Sequence, residues 1–125
     1  MPDFTSVILY VADPLASIRV YARLLARQPI QVTANFAKIA LAPGVVLGLW
    51  RRSDVLPAPT ATPGSGELCC IVTDRAAVLA AVEAWRDQGL PLLQEPVERE
   101  FGFTAAGCDP DGHRLRVLFP SIRPV

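Results

Sequence analysis

The sequence predicts an α+β fold of two βαβββ modules, whose strands form a curved mixed sheet with the helices outside. Three observations carry this. Val11-Ala12-Asp13 recurs as Val72-Thr73-Asp74, an offset of 61 residues. Both copies join a β-branched strand to an aspartate able to cap a helix. Both halves then close on a pair of strands joined by a tight turn.

Thr5 to Val11 is an unbroken run of β-branched and aromatic residues and reads as the first strand. Asp13 offers an N-cap, and Pro14 suits the first helical turn. Leu15, Ile18, Tyr21, Leu24 and Leu25 follow at helical spacing as one buried face, with Pro29 ending the helix. A short strand near Ile30 to Thr33 leads to strands at Phe36 to Leu41 and Val45 to Arg51, joined through Pro43-Gly44. Residues 55–66, with their prolines, glycines and hydroxyl side chains, have the composition of a linker between modules 1–54 and 67–125.

The second module repeats the order. Glu67 to Thr73 reads as a strand, Asp74 as an N-cap, Val78, Ala81, Val82 and Trp85 as a helical stripe, and Gly89 as its stop. Leu90 to Leu93 is a short strand. Phe101 to Cys108 and Arg114 to Phe119 pair across Asp109-Pro110-Asp111-Gly112.

With 51% hydrophobic residues in 125, the chain has ample material for a core. Its longest apolar run, Val7 to Ala12, falls well short of the ~20 residues that span a bilayer. Met1-Pro2-Asp3-Phe4 lacks the features of a signal peptide, so the expected location is the cytoplasm. Twelve basic residues balance twelve acidic ones without a basic cluster, which argues against nucleic acid as a partner. Cys69, Cys70 and Cys108 are an odd set, suited to reduced thiols. A single histidine, His113, excludes any metal site built on several imidazoles of one chain.

Val11-Ala12-Asp13 followed by a helix carrying Ser17 and Tyr21, and Asp109-Pro110-Asp111-Gly112-His113 followed by a strand, resemble the vicinal-oxygen-chelate superfamily. That superfamily holds glyoxalase I, extradiol dioxygenases and bleomycin-resistance proteins. Leu47-Gly48-Leu49-Trp50 and the segment from Asp109 to Arg116 look most like its phenazine-type antibiotic-resistance members. The resemblance implies a homodimer in which modules are exchanged between chains. It also implies four metal-ligand positions, which fall here on Ser6, Gly48, Glu67 and Arg116. Only Glu67 is a good divalent-metal ligand, and Arg116 places a permanent positive charge where a cation would sit. The expectation is therefore that no metal and no other cofactor is bound.

Strand alternation assigns Ser6, Ile8 and Tyr10, then Val46, Gly48 and Trp50, then Glu67, Cys69 and Ile71, then Arg114, Arg116 and Leu118 to a cleft face. Val7, Leu9, Val11, Leu68, Cys70, Val72, Leu115 and Val117 face the helices. Trp50 offers a rigid platform for a flat ligand, with Gly48 leaving space beside it; packing alone is the competing reading. Phe36, Phe101 and Phe103 either wall the cleft or fill it. Arg116 and Glu67 either pair with each other or hold a ligand's polar end, and an unpaired buried arginine is excluded by its desolvation cost. Cys69 and Cys108 read as small fillers and His113 as a turn residue. The functional expectation is a metal-free protein that sequesters a small, planar, partly aromatic compound. The alternative is an enzyme of the same fold, a lyase or dioxygenase with an atypical site or a catalyst using Cys69, Tyr10 or Glu67.

Overall fold

The computed structural model describes residues 5–121; the reading of Met1-Pro2-Asp3-Phe4 lies outside them. The chain divides into two compact units, Met1–Ala61 and Thr62–Val125. The boundary falls inside the predicted linker.

In the first unit, β1 (Thr5–Val11) leads into α1 (Pro14–Leu25), followed by β2 (Gln31–Val32), β3 (Phe36–Ala42) and β4 (Val45–Arg51). The four strands form a mixed sheet in the order β1-β4-β3-β2, with β1 parallel to β4 and the remaining pairs antiparallel. The second unit repeats this with β5 (Glu67–Ile71), α2 (Arg75–Asp87), β6 (Leu92–Arg99), β7 (Gly102–Cys108) and β8 (Arg114–Pro120), in the order β5-β8-β7-β6. Each module is thus a βαβββ unit, and its crossover helix permits the parallel pairing of first and last strands.

The two helices start as expected. Asp13 Oδ1 accepts from the Leu15 amide at 3.0 Å with Pro14 behind it, and Asp74 Oδ1 accepts from the Ala77 amide at 2.8 Å. Each helix covers one face of its own sheet: α1 lies over β2, β3 and β4, and α2 over β6, β7 and β8. Ile18, Tyr21, Ala37, Ile39, Leu47 and Leu49 are buried in the first unit, and Val78, Val82, Trp85, Leu115 and Val117 in the second. Burying the Val, Leu and Ile side chains among these contributes about 1.5–3 kcal/mol each before entropy is charged against it.

Several expectations are corrected. Leu15 is 39% exposed; the buried stripe of α1 is Pro14, Ser17, Ile18 and Tyr21, with Val20 beside it. That helix stops at Leu25, ahead of Pro29, where Ala26 turns left-handed (φ 52°) and its N–H meets the carbonyls of Ala22 and Arg23. Val7 is 40% exposed, although it shares the helix-side face, because α1 sits over β3 and β4 while β1 forms the sheet edge. The first strand of the second unit ends at Ile71, short of Thr73. The short strand at Leu90 to Leu93 is in fact the eight-residue β6. Its pairing to β7 shifts between Leu92 and Gln94 and again between Gln94 and Val97. Pro96 sits within it, as proline can at an edge strand that bulges.

The linker is partly tied down. Arg52 donates to the carbonyls of Ala61 (2.9 Å) and Pro59 (3.5 Å), and Val55 is buried at 2% exposure. Among the described residues, no helix is long and apolar enough to cross a membrane.

The tightest backbone approach lies at the β7–β8 rim. Gly102 has φ 144°, and a Cβ there would fall 2.2 Å from the Phe119 carbonyl oxygen. Gly102→Ala should therefore destabilise the protein by at least about 2 kcal/mol, read as a lower urea midpoint at unchanged slope. A change within roughly 0.5 kcal/mol, the range of ordinary surface substitutions, would contradict this geometry.

Candidate functional site

Each sheet has one face covered by its helix and one face turned away from it. In the first unit the uncovered face is laid out by register. Phe36, Trp50 and Tyr10 are paired across β3, β4 and β1, and Lys38, Gly48 and Ile8 form the next row. Ala40, Val46 and Ser6 form the third. Gly48 is the centre of this grid. Its missing side chain is used: a Cβ there would stand 2.9 Å from Phe36 Cζ, so the Phe36 ring leans into the gap. Tyr10 and Trp50 meet edge to face, with ring centroids 6.3 Å apart and planes at 76°. Trp50, Phe36 and Lys38 are half-buried, and Tyr10 and Ile8 remain 37% and 43% exposed. The structure thus brings Ser6, Tyr10, Phe36, Gly48 and Trp50 together on one face, as the alternation predicts.

The second unit places Glu67, Cys69 and Arg116 on the corresponding face. Cys69, Arg116 and Ala106 form one row across β5, β8 and β7, and Ile71, Leu118 and Thr104 form the next. Ile8 and Cys69 each stand five residues before the helix-capping aspartate, and each faces one residue of the last strand: Gly48 in one module, Arg116 in the other. The repeat therefore holds at the site itself, with a gap in one copy and a guanidinium in the other.

That guanidinium is engaged. Arg116 Nε donates to Glu67 Oε1 at 2.6 Å, and Nη1 donates to Thr104 Oγ1 at 3.1 Å and Gln94 Oε1 at 3.4 Å. The Thr104 hydroxyl in turn donates to the Val117 carbonyl at 2.8 Å. Of the two readings left open by the sequence, the internal Glu67–Arg116 pair is the one formed. Its side chains keep 33% and 19% exposure, which holds its contribution to about 1 kcal/mol or less.

The residues at the four implied metal-ligand positions do not fit a divalent cation. In the first unit Ser6 offers a neutral hydroxyl and Gly48 offers nothing. In the second, the Glu67 carboxylate faces the fixed positive charge of Arg116. Among the described residues, Asp109, Asp111 and His113 also cluster. The buried Asp109 carboxylate there accepts from the amides of Asp111 and His113, both at 2.9 Å, and lies 2.8 Å from His113 Nδ1. It organises the β7–β8 turn, and His113 is a turn residue as expected.

Two aromatic assignments are corrected. Phe103 lies on the helix-side face, 8% exposed, with the Arg75 guanidinium 3.8 Å from its ring centre. Arg75 also pairs with Glu98. Phe101 precedes β7 in a turn and is 52% exposed. Trp85 is core, as the helical stripe indicates, with its indole N–H unpaired among the described residues. Sequence reasoning missed Lys38, Thr104 and Gln94. Strand alternation from Phe36 would have found Lys38, and the same count along β7 would have found Thr104. Gln94 lay beyond reach because β6 was read as ending at Leu93.

The chain is similar to protein ATC0852 from Agrobacterium tumefaciens, at 40% identity over 98% of each chain with a TM-score of 0.81. It is similar in structure to a glyoxalase-related enzyme from Fulvimarina pelagi, at 24% identity over 100% of this chain and 93% of that one, TM-score 0.87. A third similar structure is a glyoxalase/bleomycin resistance protein/dioxygenase family enzyme from Burkholderia phytofirmans PsJN. It matches at 18% identity over 93% of this chain and 97% of that one, TM-score 0.78. No protein-family model and no curated protein matches the chain. The fold is that of the glyoxalase/bleomycin-resistance/dioxygenase, or vicinal-oxygen-chelate, proteins. Within it, the chain belongs to one family with the Agrobacterium protein.

Cys69 shares its face with a carboxylate and a guanidinium. Burial pushes its thiol above the ordinary value, the Glu67 carboxylate adds to that, and Arg116 opposes it. Such a thiol is not an activated nucleophile. In a Cys70→Ser/Cys108→Ser background, the pH profile of Cys69 alkylation should therefore rise later than that of free cysteine. Glu67→Gln removes the negative neighbour and should move the profile down. A profile centred below free cysteine would contradict the assignment.

Proposed function

We propose that this protein binds and sequesters a small, planar, partly aromatic compound in the cytoplasm, without a metal. The observation that carries the reading is the uncovered face of the first unit. There Trp50 and Tyr10 are set against each other, Phe36 is tucked over Gly48, and Ile8 lies alongside. Apolar area on an aromatic ligand gains about 25 cal/mol per Å² when removed from water, and ring–ring geometry adds roughly 0.5–1.5 kcal/mol. Resistance-type sequestration needs nothing further: binding is stoichiometric and no bond is made or broken. The similar Fulvimarina and Burkholderia proteins carry enzyme names, which favours the alternative of catalysis on this fold. Against it stand the Glu67 carboxylate held by Arg116 and a Cys69 thiol shifted away from reactivity.

The proposed working form is a homodimer. The strands β1 and β5 are sheet edges. The seven residues of β1 carry no charge, and Val7, Ile8 and Ile71 are 40%, 43% and 56% exposed. An uncharged apolar edge such as β1 is one that proteins ordinarily cover. Sedimentation should give a mass near twice 13.5 kDa at micromolar concentration. A mass of one chain throughout the concentration range would overturn the dimer.

The binding test uses a planar heteroaromatic such as phenazine-1-carboxylate. It is run in a Trp85→Phe variant so that Trp50 alone reports. Trp85 is a core residue, so this background is first shown to be folded by its urea transition before it is titrated. Saturable quenching, corrected for ligand absorbance and unchanged by EDTA, is expected. Trp50→Ala, followed through ligand absorbance or calorimetry, should weaken binding at least several-fold. No saturable binding by a panel of planar aromatics to folded protein would refute sequestration.

A further inference from the structure

Lys38 occupies an unusual place on the aromatic face. It lies between Phe36 and Ala40 on β3 and is paired in register with Gly48, the centre of the grid, over which the Phe36 ring leans. It is half-buried, while its sequence neighbours Ala37 and Ile39 are fully buried on the helix side. Among the described residues its ammonium has no ion pair and no hydrogen bond. The only carboxylates between residues 5 and 61 are those of Asp13 and Asp54. Asp13 caps α1, and Asp54 accepts from Arg51 Nε at 2.7 Å. Neither is committed to Lys38.

The surrounding charge points the same way. The chain as a whole is neutral, yet residues 5–61 hold six Lys/Arg against those two aspartates, while residues 62–121 hold five against nine Asp/Glu. The aromatic face therefore belongs to the strongly basic half of the chain. In the other module the position facing Cys69 is taken by Arg116, whose charge is satisfied by Glu67. In the first module Gly48 carries no charge at that position and Phe36 leans over it, while the neighbouring Lys38 has no counter-ion among the described residues.

We infer that Lys38 is the counter-ion for an anionic group on the ligand, so that the first module selects planar aromatic acids over their neutral analogues. This rests on the sequestration reading above and specifies its ligand class. A flat ring stacked beside Trp50 and Tyr10, over Phe36 and Gly48, presents a carboxylate or phenolate at its rim to the row that Lys38 occupies. There a charge-assisted hydrogen bond forms on the ammonium of this half-buried lysine.

The test compares phenazine-1-carboxylate with phenazine-1-carboxamide, a neutral partner of nearly the same shape, on the full chain. The carboxylate should bind roughly five- to tenfold more tightly in low salt, and the preference should shrink as salt screens it. Lys38→Gln should bring the ratio of the two affinities to near one, and Lys38→Arg should retain it. A ratio that survives Lys38→Gln overturns the assignment, as a lysine whose stem merely covers apolar surface would behave. Collapse of the ratio in Arg116→Gln but not in Lys38→Gln would move the anion contact to the second module and also overturn it. If the amide and acid bind equally to the natural chain, sequestration stands and the Lys38 assignment falls. If neither binds, both fall together.

Discussion

The parallel pairing of the first and last strands within each module fixes everything that follows. In the first unit it sets Ile8 against Gly48 and Tyr10 against Trp50. In the second it sets Cys69 against Arg116. Because side chains alternate with period two, a slip of one residue would turn the aromatic row toward α1 and the Leu47/Leu49 core toward solvent. The helix that makes the parallel crossover also decides which face stays open, since it can cover only one. An uncovered face is thus a by-product of how a βαβββ unit buries its core.

On this shared frame the two modules have diverged at one position. Gly48 leaves a gap that Phe36 partly enters, and Arg116 fills the equivalent place with a charge held by Glu67, Thr104 and Gln94. The first face is aromatic with an uncommitted cation beside it. The second is polar and internally satisfied, so its desolvation is already compensated and it has little to gain from a ligand. This division explains why the positions that the fold's resemblance assigns to a metal carry chemistry that repels or ignores one.

Much of this was legible in the sequence because it rests on local signals. Asp13 and Asp74 announce helix starts whose caps form as hydrogen bonds, and the 61-residue repeat carries through to the start of both helices. Alternation placed Ser6, Gly48, Trp50, Glu67 and Arg116 on the correct faces. What escaped depends on neighbours distant in sequence. The strand β6 is an edge, interrupted by Pro96 and studded with Glu95, Glu98 and Arg99, so it shows no alternation. Ala26 ends α1 without the glycine that usually marks such a stop. Whether Phe103 walls the cleft or fills it stays open in the sequence, because its covering partner, Arg75, lies on α2 and outside any strand pattern. Val7 has the right orientation but no cover, a consequence of where α1 lands.

The most direct measurement is backbone amide NMR on isotope-labelled protein titrated with phenazine-1-carboxylate. Saturable shift changes are expected at Tyr10, Phe36, Lys38, Gly48 and Trp50, including the Trp50 indole N–H, while the Glu67–Arg116 neighbourhood stays nearly still. Saturable shifts centred instead on the second module, or none at any position in folded protein, would contradict binding at the first module's aromatic face.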